Sequence, residues 1–297
     1  MNEIFYHYTD INGLISILSH EELWLSGIDF MNDNTEGKVV FDRIYNSIDD
    51  PSIQRKLGHL FNLCINTNRI FATSFTKNGD QLSQWRGYCP NEGGYSIGFN
   101  FDKLEELKID KPSSENKFRV FKSVQDLLKN GPGQILFDAC TYSQEDTFEE
   151  QVQVIADFVN EAVKDVSDEH FAAMKKLNYD ALSIIGLLND QEKTNKILDF
   201  LFRISKVVAL YKDRGFYEEN EYRLMYIDKP LPSKPFIRGK NSYPLSFVKA
   251  KFDKRAVEEI IIGPTRFEKF ARKGLYDLLN SFNLKAQIKC SKIPYTS

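Results

Sequence analysis

The sequence predicts an α+β fold, in which a mixed and mostly antiparallel sheet forms the core and helices interrupt it. Two observations support this class. Short β-prone segments occur in both halves of the chain, and between them residues 144–214 contain no proline and a single glycine, Gly186. Strands and helices do not alternate regularly, as they would in a doubly wound parallel sheet. Neither GxGxxG nor GxxxxGK[ST] occurs, so the two common glycine-rich nucleotide loops are excluded.

The opening segments illustrate how the elements are assigned. Residues 4–9 (IFYHYT) are aromatic and β-prone, which predicts a strand. Asp10 supplies an N-cap oxygen for a helix in which apolar residues repeat at helical spacing from Ile11 to Leu18. By the same criteria, further strands are predicted at residues 23–26, 69–75 and 95–101, and helices at 37–48 and 51–65.

The second half of the chain contains a helical insert followed by strands. Residues 144–214 carry apolar residues at helical spacing and predict an insert of three or four helices within a single domain over residues 1–297. An amphipathic helix is predicted at residues 267–282. Strands are predicted at residues 117–122, 134–142, 221–227, 243–252, 257–262 and 285–293.

Composition limits the class of protein. The 39 basic and 42 acidic residues give a net charge of −3, which excludes a protein that holds nucleic acid through overall basic charge. Hydrophobic residues at 42% and charged residues at 27% are typical of a globular chain. The 23 Phe, 14 Tyr and 2 Trp provide rings both for a core and for stacking on a planar ligand.

Cysteine spacing and hydropathy indicate a reduced, cytoplasmic protein. The four cysteines form no CxxC pair and only four histidines accompany them, so no structural zinc and no other metal is predicted. The N-terminus lacks the basic start and apolar stretch of a signal peptide. No apolar run approaches the length of a membrane span, so no membrane partner is expected. The oligomeric state stays open.

Polar residues cluster on or beside four predicted segments, at residues 6–9, 72–76, 82–88 and 218–223. In the last cluster, strand alternation places Glu219, Glu221 and Arg223 on one face. Three polar groups on one strand face are unfavourable unless something polar lies opposite, which makes Glu221 the first candidate for a functional role.

These clusters resemble a known bacterial family. The strings YHYT, FMNDNTEG, FATSF, LSQWRGY, GGYSIGF, ENEYRL, EIIIGP and SKIPY together resemble the family catalogued as domain of unknown function 2971. The likeness covers both ends of the chain and omits the helical insert. The family name implies no activity.

A weaker resemblance implies an activity. ADP-ribosyltransferases carry a His or Arg on a first strand, a Ser-Thr-Ser or Tyr-type motif on a middle strand and a Glu on a late strand. Here His7, Thr73-Ser74 and Glu219-Asn220-Glu221 occur in that order, although Ala72-Thr73-Ser74-Phe75 departs from a full Ser-Thr-Ser. The resemblance implies an ADP-ribosyltransferase-like sheet and NAD as substrate.

It also implies a role for each residue. Glu221 and Glu219, with His7, form the catalytic group, because a carboxylate stabilises the cationic ribose that forms as nicotinamide leaves. The residues expected to bind NAD are Tyr8, Thr73, Ser74, Trp85, Arg86 and Tyr88. Of these, Trp85 or Tyr88 would stack on nicotinamide and Arg86 would pair with the pyrophosphate.

The sequence therefore predicts an NAD-using ADP-ribosyltransferase or glycohydrolase, with a toxin or phage-defence effector as its implied setting. The acceptor stays open between water, protein and nucleic acid. The alternative is a non-catalytic nucleotide- or RNA-binding defence module that uses Trp85, Arg86 and Tyr88 for stacking. A metal-dependent nuclease using Asp33, Glu36, Glu219 and Glu221 ranks last, because these carboxylates lack ligand-type spacing.

Structural roles compete for the same residues. His7 and Trp85 are also typical of partly or fully buried core positions. Glu219 and Glu221 are equally compatible with an ion pair to Arg223. The enzyme hypothesis requires His7, Ser74 and Glu221 to converge on one cleft.

Overall fold

The computed structural model describes residues 3–28, 38–58, 70–89, 93–104, 107–109, 118–119, 135–143, 147–164, 203–204, 207–227, 235–240 and 242–294. Over these residues the predicted α+β class is confirmed. The strands are β1 Ile4–Thr9, β2 Glu22–Gly27, β3 Ile70–Thr76, β4 Tyr95–Asn100, β5 Lys108–Ile109, β6 Phe118–Arg119, β7 Ile135–Ala139, β8 Thr141–Tyr142, β9 Tyr211–Lys212, β10 Glu221–Ile227, β11 Phe236–Lys240, β12 Tyr243–Lys251, β13 Val257–Ile262 and β14 Gln287–Cys290. The helices are α1 Ile11–His20, α2 Lys38–Asn46, α3 (residues 51–58), α4 Leu82–Tyr88, α5 Phe101–Leu104, α6 Phe148–Val163 and α7 Glu268–Ser281, with 3-10 turns at Arg214–Glu219 and Lys254–Ala256.

One large sheet organises the described residues. Its main path runs β11-β12-β2-β3-β1-β4-β13-β14, and a branch leads from β3 through β10 and β7 to β6. The β13–β14 and β6–β7 pairs are parallel, whereas the other pairs of this sheet are antiparallel. The sheet is therefore mixed and mostly antiparallel, as predicted.

The sheet has a gap on one edge of β3. On that edge, β2 pairs with Phe71 and Ala72, and β1 pairs with Thr76. Between them, residues 73–75 face no partner strand of the described sheet, whereas on the other edge β10 pairs along the whole of β3. Backbone groups inside a sheet need hydrogen-bond partners, so a gap of this kind is a place where side chains or a ligand can supply them.

Aromatic and aliphatic side chains fill both faces of the sheet. Strand alternation sends Phe71 and Phe75 to one face and Ala72 to the other. The first core contains side chains of α1, α7 and the central strands, among them Phe5, Phe75, Phe99, Phe137, Leu14 and Leu275. The second core joins α2 and α6 to the opposite face, with Val40, Ile44, Val152, Ile155 and Met225 among its members. The two cores bury β3 and β10 on both sides.

The local predictions largely match the structure. Asp10 caps α1 by accepting a hydrogen bond from the Gly13 backbone N–H at 2.6 Å. The single strand predicted at residues 134–142 is wrong, because it is divided at Cys140 into β7 and β8. There the Cys140 N–H donates to the Glu221 carbonyl at 2.8 Å, after which the chain leaves β10 and pairs with β9.

The helical insert agrees with the structure only in part. The helix α6 and the helical residues at 203–204 and 207–208 follow the prediction. The strand β9 does not, because Tyr211 and Lys212 pair in parallel with β8 instead of continuing a helix. Residues 165–202 and 29–37, and the second half of the helix predicted at 51–65, lie outside the described residues. No helix among the described residues has both the length and the hydropathy needed to cross a bilayer.

Asp138 is a partly buried carboxyl group on β7. Its Oδ1 accepts a hydrogen bond from the Ala139 N–H at 2.8 Å, and burial raises the pKa of its carboxyl to about 6. Because this folded-state pKa lies above the ordinary value of 3.8, the neutral form is favoured by folding. Ionisation of Asp138 therefore destabilises the fold as the pH rises through 6.

We expect Asp138→Asn to raise the free energy of unfolding by roughly 1–3 kcal/mol at pH 8, because the amide keeps the hydrogen bond without the charge. The gain should vanish below pH 3.8, where the wild-type carboxyl is protonated in both states. Urea unfolding between pH 3.5 and 8 (roughly the range in which this carboxyl changes charge) measures it. The control is Asp277→Asn at an exposed position of α7. A gain independent of pH would contradict the assignment.

Candidate functional site

A cavity of about 730 Å³ lies at the gap on the edge of β3, between the points where β2 and β1 pair with it. Its walls come from β1, from the first turns of α1, from β2 and β3, and from α4, β9 and β11. Of the residues predicted from the sequence, those that line it are His7, Tyr8, Thr73, Ser74, Tyr88, Glu219 and Glu221. His7, Ser74 and Glu221 therefore converge on one cleft, as the enzyme hypothesis requires.

His7 closes part of the gap with its ring. Its Nδ1 lies 3.0 Å from the carbonyl oxygen of Ser74. Because a carbonyl only accepts, Nδ1 carries the hydrogen and Nε2 is left as an acceptor. Burial lowers the pKa of His7 more than this hydrogen bond raises it. The ring is therefore neutral near pH 7, and its Nε2 has no partner among the described residues.

Glu221, the first residue of β10, is a buried carboxylate with both oxygens occupied. Oε1 accepts hydrogen bonds from the Ser74 hydroxyl and from Arg223 Nε at 2.9 Å. Oε2 accepts from Lys212 Nζ at 2.6 Å and from Arg223 Nη2 at 3.3 Å. Burial alone would raise the pKa of Glu221, but Arg223 and Lys212 outweigh it and lower the pKa to about 2. The alternative interpretation, in which Glu221 forms an ion pair with Arg223, is therefore confirmed.

Glu219 differs from Glu221 in exposure and in position. It ends the 3-10 turn rather than lying on the strand, so the prediction of one shared strand face is wrong. Asn220, with a left-handed φ of 43°, ends the turn and separates the two residues. Glu219 Oε2 accepts from Lys212 Nζ at 2.8 Å and from the Tyr88 hydroxyl at 3.4 Å. Its Oε1 has no hydrogen-bond partner among the described residues.

Lys212 bridges the two carboxylates and was not a candidate from the sequence. Its side chain is 4% exposed, and although burial opposes its charge, Glu221 and Glu219 raise the pKa of its amine. Together with Arg223, it balances the two negative charges. In the sequence, Lys212 directly follows the apolar run Val207–Tyr211. A lysine in this position can have the aliphatic part of its side chain buried in a core, and this was the signal that could have identified it.

The helix α4 is hydrogen-bonded to the turn that contains Glu219, and one face of this helix lines the cavity. Gln84 Nε2 donates to the Glu219 carbonyl at 3.2 Å. Gln84 and Tyr88, four positions apart on the helix, both line the cavity. Trp85 is instead buried beside Tyr8, and its Nε1 donates to Asp80 Oδ1 at 2.9 Å.

Trp85 and Arg86 therefore do not occupy the places that the resemblance implied. Neither residue lines the cavity, and Arg86 is exposed on the other side of the helix turn. Trp85 is a core aromatic, which was its competing structural interpretation. Tyr8 does line the cavity, but its hydroxyl is engaged, donating to the Asn78 carbonyl and accepting from the Gln81 N–H at 2.8 and 2.9 Å.

Arg238 on β11 is a further cavity residue that the sequence did not indicate. Its guanidinium carbon lies 5.4 Å from the centre of the Trp24 ring, and its Nη2 donates to the Ser26 hydroxyl at 2.9 Å. Its Nε is buried and has no hydrogen-bond partner in the part of the chain that the structure describes. Burial lowers the pKa of this guanidinium.

The described residues contain no group of three or more His, Cys, Asp or Glu side chains that could hold a metal ion. Asp33 and Glu36, which the nuclease hypothesis needs, lie outside them. That hypothesis gains no support from Glu219 and Glu221, because both are bound to Lys212.

Comparison with known proteins finds a match to one family model over part of the chain and gives no activity. Residues 84–224 match the family described as "Protein of unknown function (DUF2971)". The predicted resemblance to DUF2971 is confirmed over this range, which contains Tyr88, Lys212, Glu219 and Glu221. The predicted extent of the likeness is wrong, because the matched range includes the insert at residues 144–214 and does not reach either end of the chain. No curated protein and no solved structure matches the chain.

We expect Glu221→Gln to lower the free energy of unfolding by about 3–5 kcal/mol, because it leaves Arg223 and Lys212 buried without their shared carboxylate. Urea unfolding at pH 7 measures the loss. It should shrink as the pH falls from 4.5 towards 2, where wild-type Glu221 itself becomes protonated.

Glu258→Gln is the matched control for this substitution. Glu258 also binds a lysine, Lys103 at 2.6 Å, but its side chain is 37% exposed. Its loss should stay below about 1 kcal/mol. Equal losses for the two variants would contradict the structural role of Glu221.

Proposed function

We propose that the chain is an NAD-using enzyme that breaks the bond between nicotinamide and ribose and passes ADP-ribose to water, protein or nucleic acid. The observation that carries the proposal is the convergence of neutral His7, the Ser74 motif and the Glu219–Glu221 pair on one cavity at the sheet gap. The cavity volume of about 730 Å³ falls within the range of small-molecule sites, roughly 300–1,000 Å³.

The two carboxylates take different roles in this proposal. A cationic ribose is stabilised by a preorganised negative group beside it. Glu219 lines the cavity and keeps Oε1 available, whereas both oxygens of Glu221 are engaged. We therefore assign Glu219 to the ribose and Glu221 to positioning, through the Lys212 amine that both carboxylates share.

His7 and Tyr88 complete the contacts with the ligand. The Nε2 of neutral His7 accepts a hydrogen bond from a ribose hydroxyl. The Tyr88 hydroxyl is fixed by Glu219, which leaves the Tyr88 ring as a stacking surface beside the carboxylate. Tyr88 thus takes the stacking role for which Trp85 was an alternative.

The chemical step balances without a cofactor other than NAD. The bond between ribose C1′ and the nicotinamide nitrogen breaks, and its electron pair neutralises the pyridinium charge. The acceptor oxygen or nitrogen bonds to C1′ and releases its proton. In the cytoplasm predicted from the sequence, such a reaction would consume NAD, which is how a toxin or phage-defence effector of this class would act.

Release of nicotinamide from NAD by the purified protein, followed by chromatography, tests the proposal. We expect Glu219→Gln to slow release about 10²–10³-fold, because the amide lacks the negative charge that the cationic ribose needs. Its thermal stability should fall less than that of Glu221→Gln, since Glu219 is more exposed than Glu221 and Gln still accepts from Lys212. The control is Glu218→Gln, an exposed residue of the same turn that does not line the cavity.

The products distinguish the reaction types. Free ADP-ribose indicates a glycohydrolase, and labelled protein or nucleic acid indicates a transferase. If the wild type releases no nicotinamide with water, protein or nucleic acid as acceptor, or if Glu219→Gln is fully active, the proposal is wrong. Binding of nucleotide without cleavage would then favour the non-catalytic module, whose stacking residues would exclude the buried Trp85.

A further inference from the structure

The part of the cavity formed by β2 and β11 has a different charge from the part around Glu219. Glu22, Trp24, Ser26 and Arg238 line it. The Glu22 carboxylate lies 3.1 Å from Lys249 Nζ, so that pair is balanced. Arg238 has no carboxylate within ion-pair distance among the described residues. Within the part of the chain that the structure describes, one positive charge in the cavity wall is therefore left without an acidic partner.

The geometry of Arg238 suits an anion. The guanidinium lies over the rings of Trp24 and Phe247, at 5.4 and 5.7 Å from their centres, which holds its plane. The Ser26 hydroxyl accepts from Nη2. Nε is buried without a hydrogen-bond partner among the described residues, so the donors left to meet a ligand are those of the terminal guanidinium nitrogens.

We propose that Arg238 binds a phosphate group of the ligand held in this cavity, which makes the substrate class a nucleotide with a diphosphate rather than a nucleoside. This inference rests on the proposed function, because it takes the ligand to occupy the same cavity as Glu219. A guanidinium with free donors in one plane matches the oxygens of a phosphate. Arg238 then performs the role that the resemblance assigned to Arg86, which does not line the cavity.

Calorimetric titration with ADP-ribose and with nicotinamide riboside, at one fixed salt concentration, tests the assignment. For Arg238→Gln, we expect the Kd of ADP-ribose to rise about 10–100-fold, because a hydrogen-bonded charge contact is lost. Binding of nicotinamide riboside, which has no phosphate, should not change. In turnover of NAD, KM should rise more than kcat falls.

Arg266→Gln is the matched control. Arg266 also lies over an aromatic ring, that of Phe267 at 4.9 Å, but it is exposed and does not line the cavity. Its substitution should leave both affinities unchanged. Arg238→Lys serves as a second variant, because it keeps the charge but loses the planar donors, and it should bind ADP-ribose with an intermediate affinity.

The outcomes separate this inference from the proposed function. Unchanged ADP-ribose affinity in a folded Arg238→Gln or Arg238→Lys variant overturns the phosphate site, even if nicotinamide is released. Binding of ADP-ribose that depends on Arg238, without any release of nicotinamide, supports the phosphate site and overturns the cleavage reaction. A wild type that binds no ADP-ribose overturns the phosphate site, whereas the cleavage reaction is overturned only by the absence of nicotinamide release.

Discussion

The buried carboxylate of Glu221 is the interaction on which the site depends. It accepts hydrogen bonds from Ser74 on β3, from Arg223 on β10 and from Lys212 on β9. A charge with 2% exposure is tolerated only when donors surround it, so these three segments have to meet at this point. The Glu221 backbone N–H adds a fourth segment, because it donates to the Tyr142 hydroxyl on β8 at 2.9 Å. Glu219 is held near this cluster by the same lysine.

The gap in the sheet provides the space for the cavity, whereas hydrogen-bond donors enclose the Glu221 carboxylate. On its open edge, β3 has no partner strand at residues 73–75 within the described sheet, and the His7 ring instead donates a hydrogen bond to the Ser74 carbonyl. Groups that line the cavity thus come from strands whose other edges remain fully paired. A rigid sheet with one local interruption can place a histidine and a carboxylate accurately while still leaving a cavity.

Charge is distributed unevenly along the cavity wall, and this bears on the kind of ligand that fits. Around Glu219, two carboxylates are balanced by Lys212 and Arg223. At β11, Arg238 adds a positive charge with no acidic partner among the described residues. A ligand with a ribose near the first group and phosphates near the second would complement both. The DUF2971 match covers the first group and ends before Arg238.

The sequence by itself determined the local structure and part of the site. Short-range patterns, which act within a few residues, predicted the strand alternation and the Asp10 cap. They also identified His7, Ser74 and Glu221 as candidates, in that order along the chain. Tertiary structure decided the rest. Ser74 and Glu221 are 147 residues apart, and only the β3–β10 register brings them together. Because Asn220 has a left-handed conformation, Glu219 lies in the turn before the strand. The packing of α4 against the sheet buries Trp85 in the core and leaves Tyr88 lining the cavity. Lys212 and Arg238 reach the cavity through strand pairings with distant segments, and no local pattern encodes such pairings.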